Sequence, residues 1–227
     1  MKERIQRLQE RISQAAHACN RPASDVRLVA VSKTMPAEIV KEAIEIGMTD
    51  FGENYIQEAR EKITTLSTYP VTWHYIGHLQ SNKAKYAVRM FDLIHSVDSL
   101  KLARELDKCA RKNGKVQEIL LQVNVAREDS KSGVYVEDTL QLLKDVAQLE
   151  NVAVKGLMTM PPYFNAPDRV RPFFRALRQL RDRIINENIP TVSMEELSMG
   201  MTGDFEAAIE EGATMVRIGT AIFGERR

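Results

Sequence analysis

The chain has 227 residues, 44% of them hydrophobic, enough for one sizeable core and within the range in which barrels run as a single domain. Its 32 lysines and arginines stand against 31 acidic residues, and the net charge of +1 is too weak a field to grip a polyanion, so nucleic acid is not an expected partner. Cys19 and Cys109 lack CxxC spacing, which suggests neither a disulfide framework nor a zinc site, and no run approaches the roughly 18 apolar residues of a membrane span; a soluble, unprocessed, cytoplasmic protein is expected.

Ile5, Leu8, Ile12, Ala15 and Cys19 recur at helical spacing, so the chain opens on an amphipathic helix with no strand before it. Short apolar runs then alternate with helical stretches. Strands are predicted near 26–33, 48–52, 72–77, 92–97, 117–125, 152–159, 195–199 and 214–219; helices across 39–44, 55–63, 82–90, 100–109, 136–149, 170–185 and 205–211. Strands joined by helical crossovers run parallel, and eight such units close most naturally into a (β/α)8 barrel. The competitor is an open doubly wound sheet. It is disfavoured because no Gly-x-Gly-x-x-Gly follows the first strand, where a dinucleotide fold needs it. After the eighth strand only residues 221–227 remain, too few for a closing helix that packs well, and the N-terminal helix is expected to fill that gap. No linker or low-complexity segment interrupts the pattern, so residues 1–227 read as one domain.

Lys33 ends the apolar run Val26 to Ser32 and is followed by Thr34-Met35-Pro36. On a strand it would share a face with Val29 and Val31, and if that face is buried the amine is desolvated and becomes nucleophilic enough to form a Schiff base. The ordinary alternative is a strand-end lysine whose stem reaches solvent. In a barrel Lys33 would face the loops after strands 7 and 8. Those read Leu197-Ser198-Met199-Gly200-Met201-Thr202-Gly203-Asp204 and Arg217-Ile218-Gly219-Thr220, two glycine-hydroxyl segments where barrels commonly bind phosphate. Ordinary turn and capping roles for Gly200, Thr202 and Gly219 are the plainer account of each loop. Arg217 stands among apolar neighbours and needs a partner, either a carboxylate or a heteroaromatic ring nitrogen to which it donates. Because arginine keeps its proton, such a ring would be a poor electron sink.

Six segments carry a more specific signal: Val31-Ser32-Lys33-Thr34, Phe51-Gly52-Glu53-Asn54-Tyr55, the run Trp73 to Lys83, Ser130-Lys131-Ser132-Gly133, Gly156-Leu157-Met158-Thr159-Met160 and Leu197 to Met201. With the ending Val216 to Gly224, they resemble the pyridoxal phosphate homeostasis protein family across nearly the whole chain. The resemblance implies an alanine-racemase-like TIM barrel that binds pyridoxal 5′-phosphate (PLP), with Lys33 forming the Schiff base and Arg217 facing the pyridine nitrogen. It implies Ser198, Met201, Thr202, Gly219 and Thr220 around the phosphate, through backbone amides and hydroxyls, and Asn54 beside the ring. The family pattern has serine where this chain has Thr202, so the hydroxyl is kept.

Other polar residues have plainer readings. Asn54-Tyr55-Ile56-Gln57 has the outline of a capping box. His74 and His78 are four apart, but Gly77 breaks the helical geometry a metal pair needs, so no metal is expected. Lys131 is a second amine for transient cofactor capture or a solvated loop lysine, and Trp73, Phe173 and Phe174 are expected to pack.

Racemases on this barrel carry a second domain whose partner copy supplies a tyrosine as second acid/base, whereas this chain stops at Arg227. Two-base racemisation needs proton donors on both faces of the bound amino acid. The expectation is therefore a non-catalytic, monomeric PLP carrier in vitamin B6 homeostasis and amino-acid balance, with PLP-dependent apoenzymes as recipients. The alternatives are an amino-acid racemase using Lys33 as base and, more distantly, a Schiff-base aldolase acting on a phosphorylated sugar.

Overall fold

A computed structural model describes residues 1–162, 164 and 167–224. The elements follow in the order α1 (Lys2–Ala18), β1 (Arg27–Val31), α2 (Ala37–Glu45), β2 (Asp50–Glu53), α3 (Ile56–Thr65), β3 (Thr72–Tyr75), α4 (Ala84–Met90), β4 (Leu93–Val97) and α5 (Leu100–Lys112). Then come β5 (Gln117–Gln122), α6 (Thr139–Val146), β6 (Val152–Met158), α7 (Arg171–Asn186), β7 (Val192–Ser198), α8 (Phe205–Glu210), β8 (Met215–Ile218) and α9 (Thr220–Phe223). All strand pairs are parallel, and β8 closes on β1 with Val29 beside Arg217 and Ala30 beside Ile218.

Parallel strands buried on both faces divide the apolar residues into two layers. Val29, Leu93, Leu120, Met158 and Met215 form a small buried cluster that fills the barrel interior. The larger cluster lies between strands and helices and includes Phe51, which meets Trp73 at 5.5 Å between ring centroids, and the fully buried Phe174. Phe173 stacks on Phe164. These aromatics pack, as expected.

Helix α1 buries Ile5, Leu8, Ile12, Ala15 and Ala16 and packs against α8 and α9, filling the place expected of it. Arg11 pairs with Glu206 on α8 and lies over the Phe205 ring. Beyond the helix, Arg21 donates to the carbonyls of Ile209 and Ala213, satisfying acceptors at the end of α8. The chain after β8 does form one helical turn, α9, which the sequence did not predict; residues 225–227 lie outside the described residues.

Candidate functional site

Strand β1 ends at Val31, two residues short of the expected boundary, although the Ser32 amide still bonds to the Gly52 carbonyl. Lys33 therefore belongs to a turn, closed by the Met35 amide on the Ser32 carbonyl at 3.0 Å, and its side chain is half-buried. The reason is local: Thr34 adopts φ 66°, which ends the extended chain, and Pro36 has no amide for a ladder.

This turn is clamped from the side of α3. Lys62 Nζ donates to the Ser32 carbonyl at 2.6 Å, to Glu53 Oε1 at 2.7 Å and to Glu58 Oε1 at 2.6 Å. Ser32 Oγ donates to Glu53 at 2.6 Å, and the Thr34 amide donates to Glu58. Glu53 is wholly buried, and burial pushes its carboxyl above the ordinary range while Lys62 and Ser32 pull it down. Helical charges at 58 and 62 look like a solvated i,i+4 pair in sequence, so nothing there marks Lys62 as the residue that fixes the lysine turn.

Arg217 is 4% exposed and projects into the barrel from β8. Its guanidinium donates to Ser198 Oγ at 2.6 Å and to the Thr159 carbonyl at 2.9 Å, rather than to a carboxylate. Burial pulls its pKa down to about 10, against the opposing charge of Asp204, so it stays a cation at neutral pH. The Ser198 hydroxyl contacts Arg217 and, at 2.9 Å, His95 Nδ1, so its side chain faces the barrel interior. At the end of a strand the side-chain face decides this, and residue 198 faces inward.

Gly219 follows two residues after Arg217, just past the end of β8, where a Cβ would lie 3.1 Å from the Val31 carbonyl oxygen, and the Lys33 turn follows the neighbouring strand β1. Gly219 caps α9, whose first amides have no intrahelical acceptor. Thr220 is exposed and Thr202 half-buried. Gly200 has φ 95°, and its carbonyl accepts the Arg217 amide at 3.0 Å. Met201 differs from expectation in one respect: its amide is held by Asp204 Oδ1 at 2.6 Å, closing the 201–204 turn on itself. Burial raises the Asp204 carboxyl pKa, with the Met201 amide and Arg217 acting against it.

Asn54 does not form the expected capping box. Helix α3 starts at Ile56 with Tyr55 as an uncapped N-cap, and Asn54 Oδ1 is buried without a partner among the described residues. The Asn54 carbonyl accepts from the Tyr75 hydroxyl at 3.0 Å, which fixes the backbone and leaves the side chain uncommitted. His74 and His78 do not converge: His74 lies in the barrel interior against His95 and Asp50, and His78 meets Ser132 at the rim. Lys131 pairs with Glu128 at 2.8 Å in the loop after β5. Sequence reading missed His95, Asp50, Glu53 and Lys62. The one available signal was His95 in Leu93-Ile94-His95, a polar side chain on the same strand face as the interior Leu93.

Comparison with known proteins bears on this arrangement. Residues 4–227 match the family model for the alanine racemase N-terminal domain. An Aquifex aeolicus protein named pyridoxal phosphate homeostasis protein is 47% identical over 225 residues, covering 99% of this chain and 98% of that protein. The structure of PipY from Synechococcus elongatus with PLP bound is 38% identical with a TM-score of 0.82, covering 94% of this chain and 100% of that one. An alanine racemase from Clostridium difficile shares the fold, with a TM-score of 0.75 at 14% identity, and this chain spans 56% of it.

Proposed function

The chain belongs to the pyridoxal phosphate homeostasis protein family, and from that premise we propose that it binds PLP at the C-terminal rim of the barrel and acts, without catalysis, in vitamin B6 homeostasis and amino-acid balance. The observation that carries the reading is the succession of Arg217, Gly219 and the clamped Lys33 turn on two adjacent strands. The residues present fit the group. Asn54 Oδ1 is a buried acceptor without a partner among the described residues, two threonine hydroxyls flank the strand 7 and 8 loops, and two of the five guanidinium donors of Arg217 have acceptors among the described residues.

When bound, PLP supplies an aldehyde that a primary amine captures with loss of water, and Lys33 is the amine we assign to it. The Lys62–Glu53–Glu58 clamp holds the turn, so Lys33 presents its amine from a fixed backbone. Arg217 keeps its proton and donates toward the ring nitrogen, which disfavours carbanion chemistry and supports a holding role over a catalytic one. Thr202, Thr220, the Gly219 region and the first amides of α9 hold the phosphate, with Met201 contributing once Asp204 releases its amide. The Aquifex aeolicus relative named for homeostasis is matched over 98% of its length, the racemase over 56%, and this favours the carrier reading.

We further read residues 1–227 as one domain acting as a cytoplasmic monomer that passes PLP to apoenzymes. In support, no helix among the described residues is long and apolar enough to cross a membrane. Of the exposed large hydrophobics, Tyr55, Val116 and Met160 lie in three separate connections and Ile185 on α7. The deciding experiment is borohydride reduction of the PLP-loaded protein followed by peptide mapping. A pyridoxyl group on Lys33 is expected. The same group on another lysine would overturn the assignment, and deuterium incorporation at the α-carbon of an added amino acid at enzyme-like rates would overturn the carrier reading.

A further inference from the structure

Below Arg217 the barrel interior holds a line of polar side chains that PLP binding does not use directly. Ser198 Oγ lies 2.9 Å from His95 Nδ1, His95 Nε2 lies 3.0 Å from His74 Nδ1, and His74 Nε2 lies 3.1 Å from Asp50 Oδ1. His74, His95 and Ser198 are at most 1% exposed. Asp50 lines a cleft of about 290 Å³ at the opposite end of the barrel, beside Gln9, Arg27, Met48 and Thr49. The line therefore runs from the site of Arg217 to the N-terminal face.

The hydrogens in this line can be assigned from either end. Arginine only donates, so Ser198 Oγ accepts from Arg217 and is left with its own hydrogen for His95 Nδ1. That nitrogen is then an acceptor, the Nε2 hydrogen of His95 goes to His74 Nδ1, and the Nε2 hydrogen of His74 goes to Asp50. Starting from Asp50, a carboxylate only accepts, and the same sequence is reached in reverse. The two ends agree on one direction, in which each imidazole accepts at Nδ1 and donates at Nε2.

We propose that Asp50, His74, His95 and Ser198 are positioning residues: a single-direction hydrogen-bond chain that holds the Arg217 guanidinium in one orientation and so tunes its contact with the ring of the bound ligand. This rests on the reading of the rim as a PLP site. The chain is well suited to the task because a buried network with every member satisfied is stiff, and each bond polarises the next. The charges facing it are consistent with its direction. Asp50 is faced by His74, Thr49 and Arg27; burial raises its pKa, but the hydrogen bonds from His74 and Thr49 outweigh it and keep the carboxyl below the ordinary range. His95 is faced by His74, Arg217 and Arg27, and burial first, with the charges of Arg217 and Arg27 adding to it, holds its pKa well below the ordinary imidazole value.

The test begins with the ligand-free protein. Two-bond hydrogen–nitrogen correlation spectra of the imidazoles at pH 8 should show His74 and His95 both as Nε2–H tautomers. An Nδ1–H tautomer, or a charged ring, at either position overturns the proposal. In the PLP-loaded protein, Ser198→Ala and Asp50→Asn are expected to shift the visible absorption maximum and its pH profile while PLP still binds one to one. Ser198→Thr, which keeps the hydroxyl, should restore the wild-type spectrum. Spectra and pH profiles identical to wild type in both broken-chain variants would reduce the chain to packing and overturn the tuning role. If the wild-type protein takes up no PLP but shows both Nε2–H tautomers, the rim reading fails, and with it the ligand-tuning role, while the chain itself stands.

Discussion

The barrel below Arg217 and the rim above it are built on opposite plans. Below, Arg217, Ser198, His95, His74 and Asp50 each meet the next at 2.6 to 3.1 Å. Above, Asn54 Oδ1 is buried with no partner among the described residues, Thr202 is half-buried and Thr220 is exposed. A buried polar group left alone costs about 1–3 kcal/mol, so the satisfied interior contributes rigidity while the unsatisfied rim holds its interactions in reserve for a ligand. Arg217 and the clamped Lys33 turn are the junction between the two. The contrast teaches that binding and stability should be separable by mutation.

The sharpest separation is Lys33→Ala. It should abolish covalent PLP capture, read as loss of visible absorbance after gel filtration, while unfolding free energy in urea stays within about 0.5 kcal/mol of wild type. A large loss of stability together with binding would erase the distinction. Breaking the interior instead, His95→Leu should destabilise by about 2–4 kcal/mol, because Ser198 and His74 are left with unmet groups in a dry core. Equilibrium denaturation with an unchanged m-value is the measurement.

Gly200→Ala tests the seam between the regions. With φ 95° and a Cβ that would lie 2.6 Å from Ala208 Cβ, it should cost about 1–3 kcal/mol and weaken PLP binding as the loop shifts off α8. A neutral effect on both would show that the loop relaxes freely.

Acid should act through the interior. The unfolded chain protonates His95 below about pH 6.5, whereas the folded chain holds it neutral, so its contribution is present above pH 6.5 and is lost as pH falls below it. The decline attributable to this one group is at most about 1.4 kcal/mol per pH unit. Urea titrations from pH 7 to pH 5 should show it, and His95→Gln should flatten it. At the rim the smallest effect is expected: Thr202→Ser should leave PLP affinity within about twofold, while Thr202→Val should lose about one neutral hydrogen bond, roughly fivefold. Equal losses in the two variants would remove the hydroxyl from the phosphate contacts.

Much of this was legible without coordinates. The alternation of short β-branched runs with amphipathic stretches implied a parallel barrel, and α1 does cover the side of α8 and α9 as its unpaired position suggested. Lys33, Asn54, Thr202, Arg217, Gly219 and Thr220 were picked out by residue type and by resemblance, and all lie at or just beyond the C-terminal ends of β1, β2, β7 and β8. Thr220, at the start of α9, is exposed and the other five are half-buried or buried. Ser198 was picked out as well, but its contacts with His95 and Arg217 could not be read from its neighbours in sequence.

Periodicity and local chemistry determined the strands, the helices and the residue types at their C-terminal ends, since these depend on neighbours a few positions away. Only the tertiary structure decided which polar groups meet. Closing the barrel brings His95 to Ser198 across 103 residues, Arg217 to Thr159 across 58 and His74 to Asp50 across 24. It also converts a helical charge pair, Glu58 and Lys62, into the clamp on the Lys33 turn. Such contacts are set by strand register and side-chain face together, and neither is written in the local sequence around any one of the residues involved.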